Sequence, residues 1–121
     1  MRMEMPPKPV AVCEAPDFVR RSNRIWTIEE REAFIDHIAR NALVGDVIQG
    51  TGGVRKVRWG VSGRGKRGGV RVIYYYYDET VPLHLLTMFA KNETADIGPD
   101  DKKEMLRFVR WVKSKSKSRF I

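Results

Sequence analysis

The chain has 121 residues, and its 23 lysines and arginines against 15 acidic residues give a formal net charge of +8. This length suits one domain, and it excludes a TIM barrel or a dinucleotide-binding domain followed by a substrate domain. The positive charge indicates a polyanionic partner, either a nucleic acid or an anionic membrane surface. A single cysteine excludes an intramolecular disulfide and a cysteine-based zinc site, and no apolar run is long enough to span a bilayer. We therefore expect a basic, cytoplasmic, single-domain protein.

Two helices are predicted in the first half of the chain, after a short apolar strand over residues 10–14. The first helix covers residues 16–23. The second begins after Thr27, and the spacing between Thr27 and Glu30 is that of a capping box. Apolar residues then recur every three or four positions and predict one buried stripe, formed by Ile28, Phe34, Ile35, Ile38, Ala39 and Ala42.

From residue 54 the apolar period changes to two, which predicts three successive strands over residues 54–59, 69–77 and 83–90. A last helix is predicted to begin at residues 98–101, where proline and two acidic residues suit a helix start. Its expected buried stripe consists of Met105, Phe108, Val109 and Val112. The order of strand, two helices, three strands and helix predicts an α+β fold with a largely antiparallel sheet.

These elements place one domain over residues 10–113. Residues 1–9 are expected to form a loose tail, because three of the last four are prolines. Residues 114–121 are rich in serine and lysine, and this composition predicts a frayed or disordered basic tail.

The positive charge is concentrated in the middle of the chain. No carboxylate occurs between Asp46 and Asp78, and the 31 residues between them carry Arg55, Lys56, Arg58, Arg64, Lys66, Arg67 and Arg71. A second cationic block covers residues 102–119. A charge run can be a solvated face, but a face without counter-charges repels itself unless an anion occupies it. The pattern therefore favours an anion-binding surface.

The glycine-rich stretch over residues 60–68 matches the sequence pattern of a dinucleotide-binding motif and most of the P-loop pattern. Both motifs need a helix after the glycines to hold the phosphates, and a strand is predicted there instead. The sequence favours a flexible hairpin loop whose glycines let Arg64, Lys66 and Arg67 close on phosphates.

Four consecutive tyrosines, residues 74–77, alternate between the two faces of the second predicted strand. Either all four fill a sheet that is covered on both sides, or one or two of them stack on bases, with Tyr75 as the candidate. The two histidines, His37 and His84, offer no metal-ligating cluster.

Three blocks of sequence, residues 50–59, 65–75 and 85–93, resemble in this order the RelE/HigB-like toxins of bacterial type II toxin–antitoxin systems. The resemblance covers about residues 10–113. It implies a small antiparallel sheet flanked by two N-terminal helices and one C-terminal helix. It also implies ribosome-dependent cleavage of mRNA and inhibition by a cognate antitoxin, commonly a HigA-like helix-turn-helix protein, with contact to DNA only through that antitoxin.

The resemblance implies four catalytic candidates, Lys66, Arg67, Arg71 and Lys91, which act without a metal or another cofactor. RNA supplies its own 2′-hydroxyl nucleophile, so lysines and arginines can neutralise charge and move protons. The candidates for RNA binding are Arg55, Lys56, Arg58, Arg64, Tyr75 and Asn92. Some relatives place an active-site tyrosine just beyond the position of Lys91, where this chain has Asn92, Glu93 and Thr94.

Two other functions remain open from sequence. The chain could be a non-catalytic inhibitor of DNA gyrase, like relatives in the ParE branch of the same superfamily. It could also be a plain basic RNA-binding module. The leading hypothesis is the ribonuclease, because cationic residues from three separate segments are expected to converge on one site.

Overall fold

A computed structural model describes residues 8–61, 65–90 and 97–117, with the backbone only for residues 61 and 65–68. In chain order the elements are β1 (Val12–Glu14), α1 (Pro16–Ile25), α2 (Ile28–Arg40), β2 (Asp46–Val47), β3 (Arg55–Val61), β4 (Gly65–Tyr75), β5 (Leu83–Ala90) and α3 (Pro99–Lys115). The strands form one sheet in the order β1-β5-β4-β3-β2. All neighbours are antiparallel except β1 and β5, which run parallel. The predicted α+β class, with two helices before the main strands and one after them, is confirmed.

One hydrophobic core lies between the sheet and the first two helices. Phe18 of α1, Phe34 of α2 and Tyr74 of β4 are fully buried in it. The predicted capping box is present, because the Thr27 hydroxyl accepts from the Glu30 N–H at 3.1 Å and the Glu30 carboxylate accepts from the Thr27 N–H at 2.9 Å.

The buried stripe predicted for α2 is wrong at its first residue. Ile28 is 70% exposed, whereas Ile38 is fully buried. With 3.6 residues per turn, Ile28 lies about 80° around the helix axis from Ile38, at the margin of the stripe.

A second core lies on the opposite face of the sheet, under α3. Val109 and Val112 of α3 cover Ile73 and Tyr75 of β4 there. Strand alternation therefore distributes the tyrosines as the sequence predicts, with Tyr74 in the first core and Tyr75 in the second. Both faces of β4 are covered along this part of the strand.

The end of α3 differs from the sequence expectation. The helix continues through Lys115, and Ser116 is fully buried, with its hydroxyl 3.0 Å from the Thr80 hydroxyl and hydrogen-bonded to the Asp78 carboxylate. The prediction of a frayed or disordered segment from residue 114 is wrong up to residue 117, because these contacts attach the chain to the turn between β4 and β5. Within the described ranges, no helix is long and apolar enough to cross a membrane.

Candidate nucleic-acid interface

Three of the predicted site residues, Lys56, Arg58 and Arg71, share one face of the sheet. In the antiparallel pair β3–β4, Arg58 lies directly opposite Arg71, and Lys56 lies opposite Ile73. Residues that face each other across such a pair project to the same side of the sheet, and here that side is the one that carries α3. Arg58 and Arg71 are nevertheless exposed. The sheet therefore presents cations where the helix does not cover it.

The opposition of Arg58 and Arg71 is unfavourable for the fold alone. Side chains in this relation have Cβ atoms about 5 Å apart, and like charges there are destabilising. Among the described residues neither arginine forms an ion pair. A negatively charged ligand that lies between the two guanidinium groups would convert this repulsion into attraction, and the fork of an arginine suits phosphate oxygens.

Two adjoining pockets open on these cations. One, of about 370 Å³, is lined by Lys56, Arg58 and Arg71 together with residues 44–46 and Val57. The other, of about 210 Å³, also contains Lys56 and Arg71 and adds Lys102 from α3. Among the described residues that line these two pockets, Asp46 of the larger one is the single carboxylate. The four cations outnumber it and give the region a net charge of +3.

Lys102 is a site residue that the sequence reasoning missed. The sequence assigns it only to the second cationic block, and nothing local brings the start of α3 to β3 and β4. Gly50 has a φ of +84°, and a Cβ at this position would lie 3.4 Å from Cδ of Lys102. A residue without a side chain therefore lies beside the Lys102 stem, next to the pocket.

Residues 44–46 form one wall of the larger pocket, and two side chains from the sheet hold this wall and the two residues before it. The Tyr74 hydroxyl accepts from the Gly45 N–H at 2.8 Å and donates to the Ala42 carbonyl at 2.9 Å. Arg55 donates from Nη1 to the carbonyl oxygens of Gly45 at 2.7 Å and Leu43 at 3.3 Å. Burial raises the pKa of Tyr74, so this hydroxyl keeps its proton for the bond to Ala42.

Arg55 was predicted to bind RNA, and the structure shows its side chain in contact with the pocket wall. Arg55 lies opposite Tyr74, on the face of the sheet that carries α1 and α2. Lys56 and Arg58 project to the other face, which carries α3. Its guanidinium is engaged by the two backbone carbonyls described above, and it lines neither pocket. Arg55 therefore positions the pocket wall.

Tyr75 was the candidate for stacking on a base, and its burial contradicts this prediction. The side chain is 2% exposed, because α3 covers it. Burial raises its pKa to about 12, with a further contribution from Tyr77 and Asp78. Tyr75 is part of the second core.

The remaining candidates are described only in part. Lys66 and Arg67 lie in β4, which pairs with β3 from Gly65 onward, so the predicted hairpin loop over residues 60–68 is shorter than expected. Their side chains are outside the description. Arg64, Lys91 and Asn92 lie outside the described residues altogether.

The described residues contain no group of three or more His, Cys, Asp or Glu side chains that could hold a metal ion. His84 lies half-buried on the α3 face, with its ring 5.1 Å from that of Phe108, and burial lowers its pKa. Comparison with models of known protein families finds none that matches this chain.

Proposed function

We propose that this protein is the toxin of a type II toxin–antitoxin system and cleaves mRNA on the ribosome. One observation carries the proposal: Arg58 and Arg71 oppose each other across two strands without an ion-pair partner in the described chain. Lys56 and Lys102 line the same two pockets, Lys56 in both and Lys102 in the smaller one. This arrangement suits an RNA backbone that bends around a reacting phosphate, because several phosphates must then be held at once.

The proposed reaction begins with attack of the 2′-hydroxyl of one nucleotide on the adjacent phosphorus. The O2′–P bond forms while the P–O5′ bond breaks, which leaves a 2′,3′-cyclic phosphate and a new 5′-hydroxyl end. The attacking hydroxyl loses its proton to a base, and the departing 5′ oxygen receives one from an acid. Negative charge grows on the non-bridging oxygens in the transition state.

Arg71 is the described arginine suited to stabilise this charge, because it lines both pockets whereas Arg58 lines one of them. Arg58, Lys56 and Lys102 hold the neighbouring phosphates. The proton carriers are proposed from the sequence resemblance, with Lys66 and Lys91 as candidates and Arg67 as a second group that stabilises charge.

A toxin of this kind acts in the cytoplasm and needs a partner that keeps it inactive. We assign that role to a cognate antitoxin, expected to be a HigA-like helix-turn-helix protein. The two cationic pockets give such a partner an obvious surface to cover with acidic side chains, and a stable complex should bury on the order of 1,000 Å² or more in total.

The test of this proposal is expression of the protein in bacteria, followed by mapping of RNA 5′ ends. Translated messages should show new ends at a fixed position within codons. Arg71→Gln should reduce single-turnover cleavage on programmed ribosomes by roughly 100-fold, the usual effect of losing a transition-state charge partner. Arg24→Gln is the matched control, because it removes one exposed arginine of α1 that lines neither pocket. Intact messages together with DNA-damage signalling would instead identify a gyrase inhibitor, and ribosome binding without either effect would identify a plain binding module.

A further inference from the structure

The outward face of α3 carries a positive stripe that lines neither of the two pockets. Lys103, Arg107 and Arg110 are exposed, and they fall within about 60° of one another around the helix axis. No acidic residue occurs from Met105 to the end of the sequence given, whereas six lysines and arginines do. Among the described residues these three cations form no ion pair.

A large aromatic side chain borders this stripe. Trp111 is 52% exposed, and its indole ring lies 5.9 Å from that of Phe108 and 6.2 Å from that of His84. Nζ of Lys115 lies 5.8 Å from the centre of the Trp111 ring. The ring is therefore supported from within by two other rings, while about half of its surface remains open between cations.

We propose that this face of α3, formed by Lys103, Arg107, Arg110, Trp111 and Lys115, is a second RNA-binding surface, with Trp111 stacking on an unpaired base. The choice of RNA as the partner rests on the proposed function. Residues three and four positions apart on a helix have Cβ atoms about 5–6 Å apart, so Lys103, Arg107 and Arg110 form a row of side chains that can follow the successive phosphates of a strand. An indole beside such a row can accept any base on its flat face.

The surroundings of Trp111 favour RNA over a protein or a membrane. The centres of protein interfaces combine several apolar side chains and are depleted in lysine, whereas Trp111 is the one large apolar side chain that α3 exposes in the described chain, and Lys115 lies over its ring. A membrane-binding helix needs an apolar face of several large residues. The other strongly exposed apolar side chains of the described chain, such as Ile28 and Leu43, lie on other elements.

The experiment measures binding of a fluorescent single-stranded RNA oligonucleotide at several salt concentrations, which requires no cleavage. Trp111→Ala should weaken binding by roughly 5- to 100-fold, the effect of losing one base-stacking contact, and Trp111→Phe should restore most of the affinity. R107Q/R110Q should reduce the slope of log affinity against log salt by about 1.4, because two phosphate contacts are lost. Thermal melting of each variant confirms that the fold is retained.

Two controls match these changes. Ile28→Ala removes an exposed apolar side chain from α2, and K8Q/R24Q removes two exposed cations elsewhere. Both should bind RNA within about twofold of the parent protein, well below the stacking effect. Equal losses in the controls and in the α3 variants would overturn the proposal, because charge or hydrophobicity in general would then explain them.

The failure of this proposal can be distinguished from failure of the ribonuclease proposal. If ribosomal messages are cut but Trp111→Ala binds RNA like the parent, the α3 surface is wrong and the activity stands. If nothing is cut but Trp111→Ala still loses RNA affinity, the surface stands without the activity. Unchanged RNA affinity combined with lost binding to an antitoxin or to anionic lipid vesicles would reassign Trp111 to that partner and refute the proposal.

Discussion

Tyr74→Phe should destabilise the protein although it removes only one oxygen atom. The hydroxyl bonds both the Gly45 N–H and the Ala42 carbonyl, and Gly45 is buried. An orphaned buried donor costs about 1–3 kcal/mol, and loss of the bond to the partly exposed Ala42 adds about 1 kcal/mol. The expected total is about 3 kcal/mol. For a domain of this size it corresponds to a decrease in Tm of about 10 °C.

Urea denaturation and thermal melting of Tyr74→Phe measure this cost directly. Tyr76→Phe is the matched control, since Tyr76 is half-buried directly after the end of β4 and its hydroxyl forms no hydrogen bond within the described residues. It should change the free energy of unfolding by less than about 0.5 kcal/mol. The reasoning is refuted if Tyr74→Phe is as stable as Tyr76→Phe, because the hydroxyl would then not hold the pocket wall.

Three further predictions concern charge and pH. Arg58→Gln should raise the free energy of unfolding by about 0.2–1 kcal/mol at low salt, because it removes the repulsion from Arg71. Denaturation at low and high salt should show that this gain disappears as the salt concentration rises. The pKa of Tyr75 is raised from 10.0 to about 12, so the unfolded chain ionises first as the pH rises, and the free energy of unfolding should fall between pH 10 and 12. Denaturant titration of Tyr75→Phe should show a flatter profile over this range. Burial lowers the pKa of His84 from 6.5, so the unfolded chain takes up a proton first as the pH falls. The free energy of unfolding of the parent protein should therefore decrease below about pH 6.5, and that of His84→Gln should decrease less. An unchanged profile in either tyrosine or histidine variant would show that the group does not titrate differently in the folded state.

The local elements were predictable because their signals are local. The capping box of Thr27 and Glu30 and the alternation along β4 depend on residues within a few positions of one another. The two-residue strand β2 has no such signal, since it exists only through its pairing with β3. The strict alternation expected for β5 also fails, because the register shifts between Ile73 and Tyr74 and places both Leu86 and Phe89 in the second core.

The candidate site was predictable only as a concentration of charge. Composition identifies Lys56, Arg58 and Arg71, and strand alternation alone could have separated Arg55 from them, since adjacent residues of a strand point to opposite faces. The burial of Tyr75 and the arrival of Lys102 both depend on where α3 lies. That placement is set by long-range packing, which no short stretch of the sequence encodes.

The parallel pairing of β1 with β5 has a consequence for folding during synthesis. Val12 lies beside Leu83, 71 positions later in the chain, so β1 has no partner strand until β5 has emerged from the ribosome. The hairpins β3–β4 and β4–β5 close from nearby residues, whereas the β1–β5 contact carries the entropy of a long loop. The nascent chain therefore exposes the apolar sides of α1 and α2 for most of its synthesis, and this interval is when a chaperone or a co-translationally bound partner would protect it most.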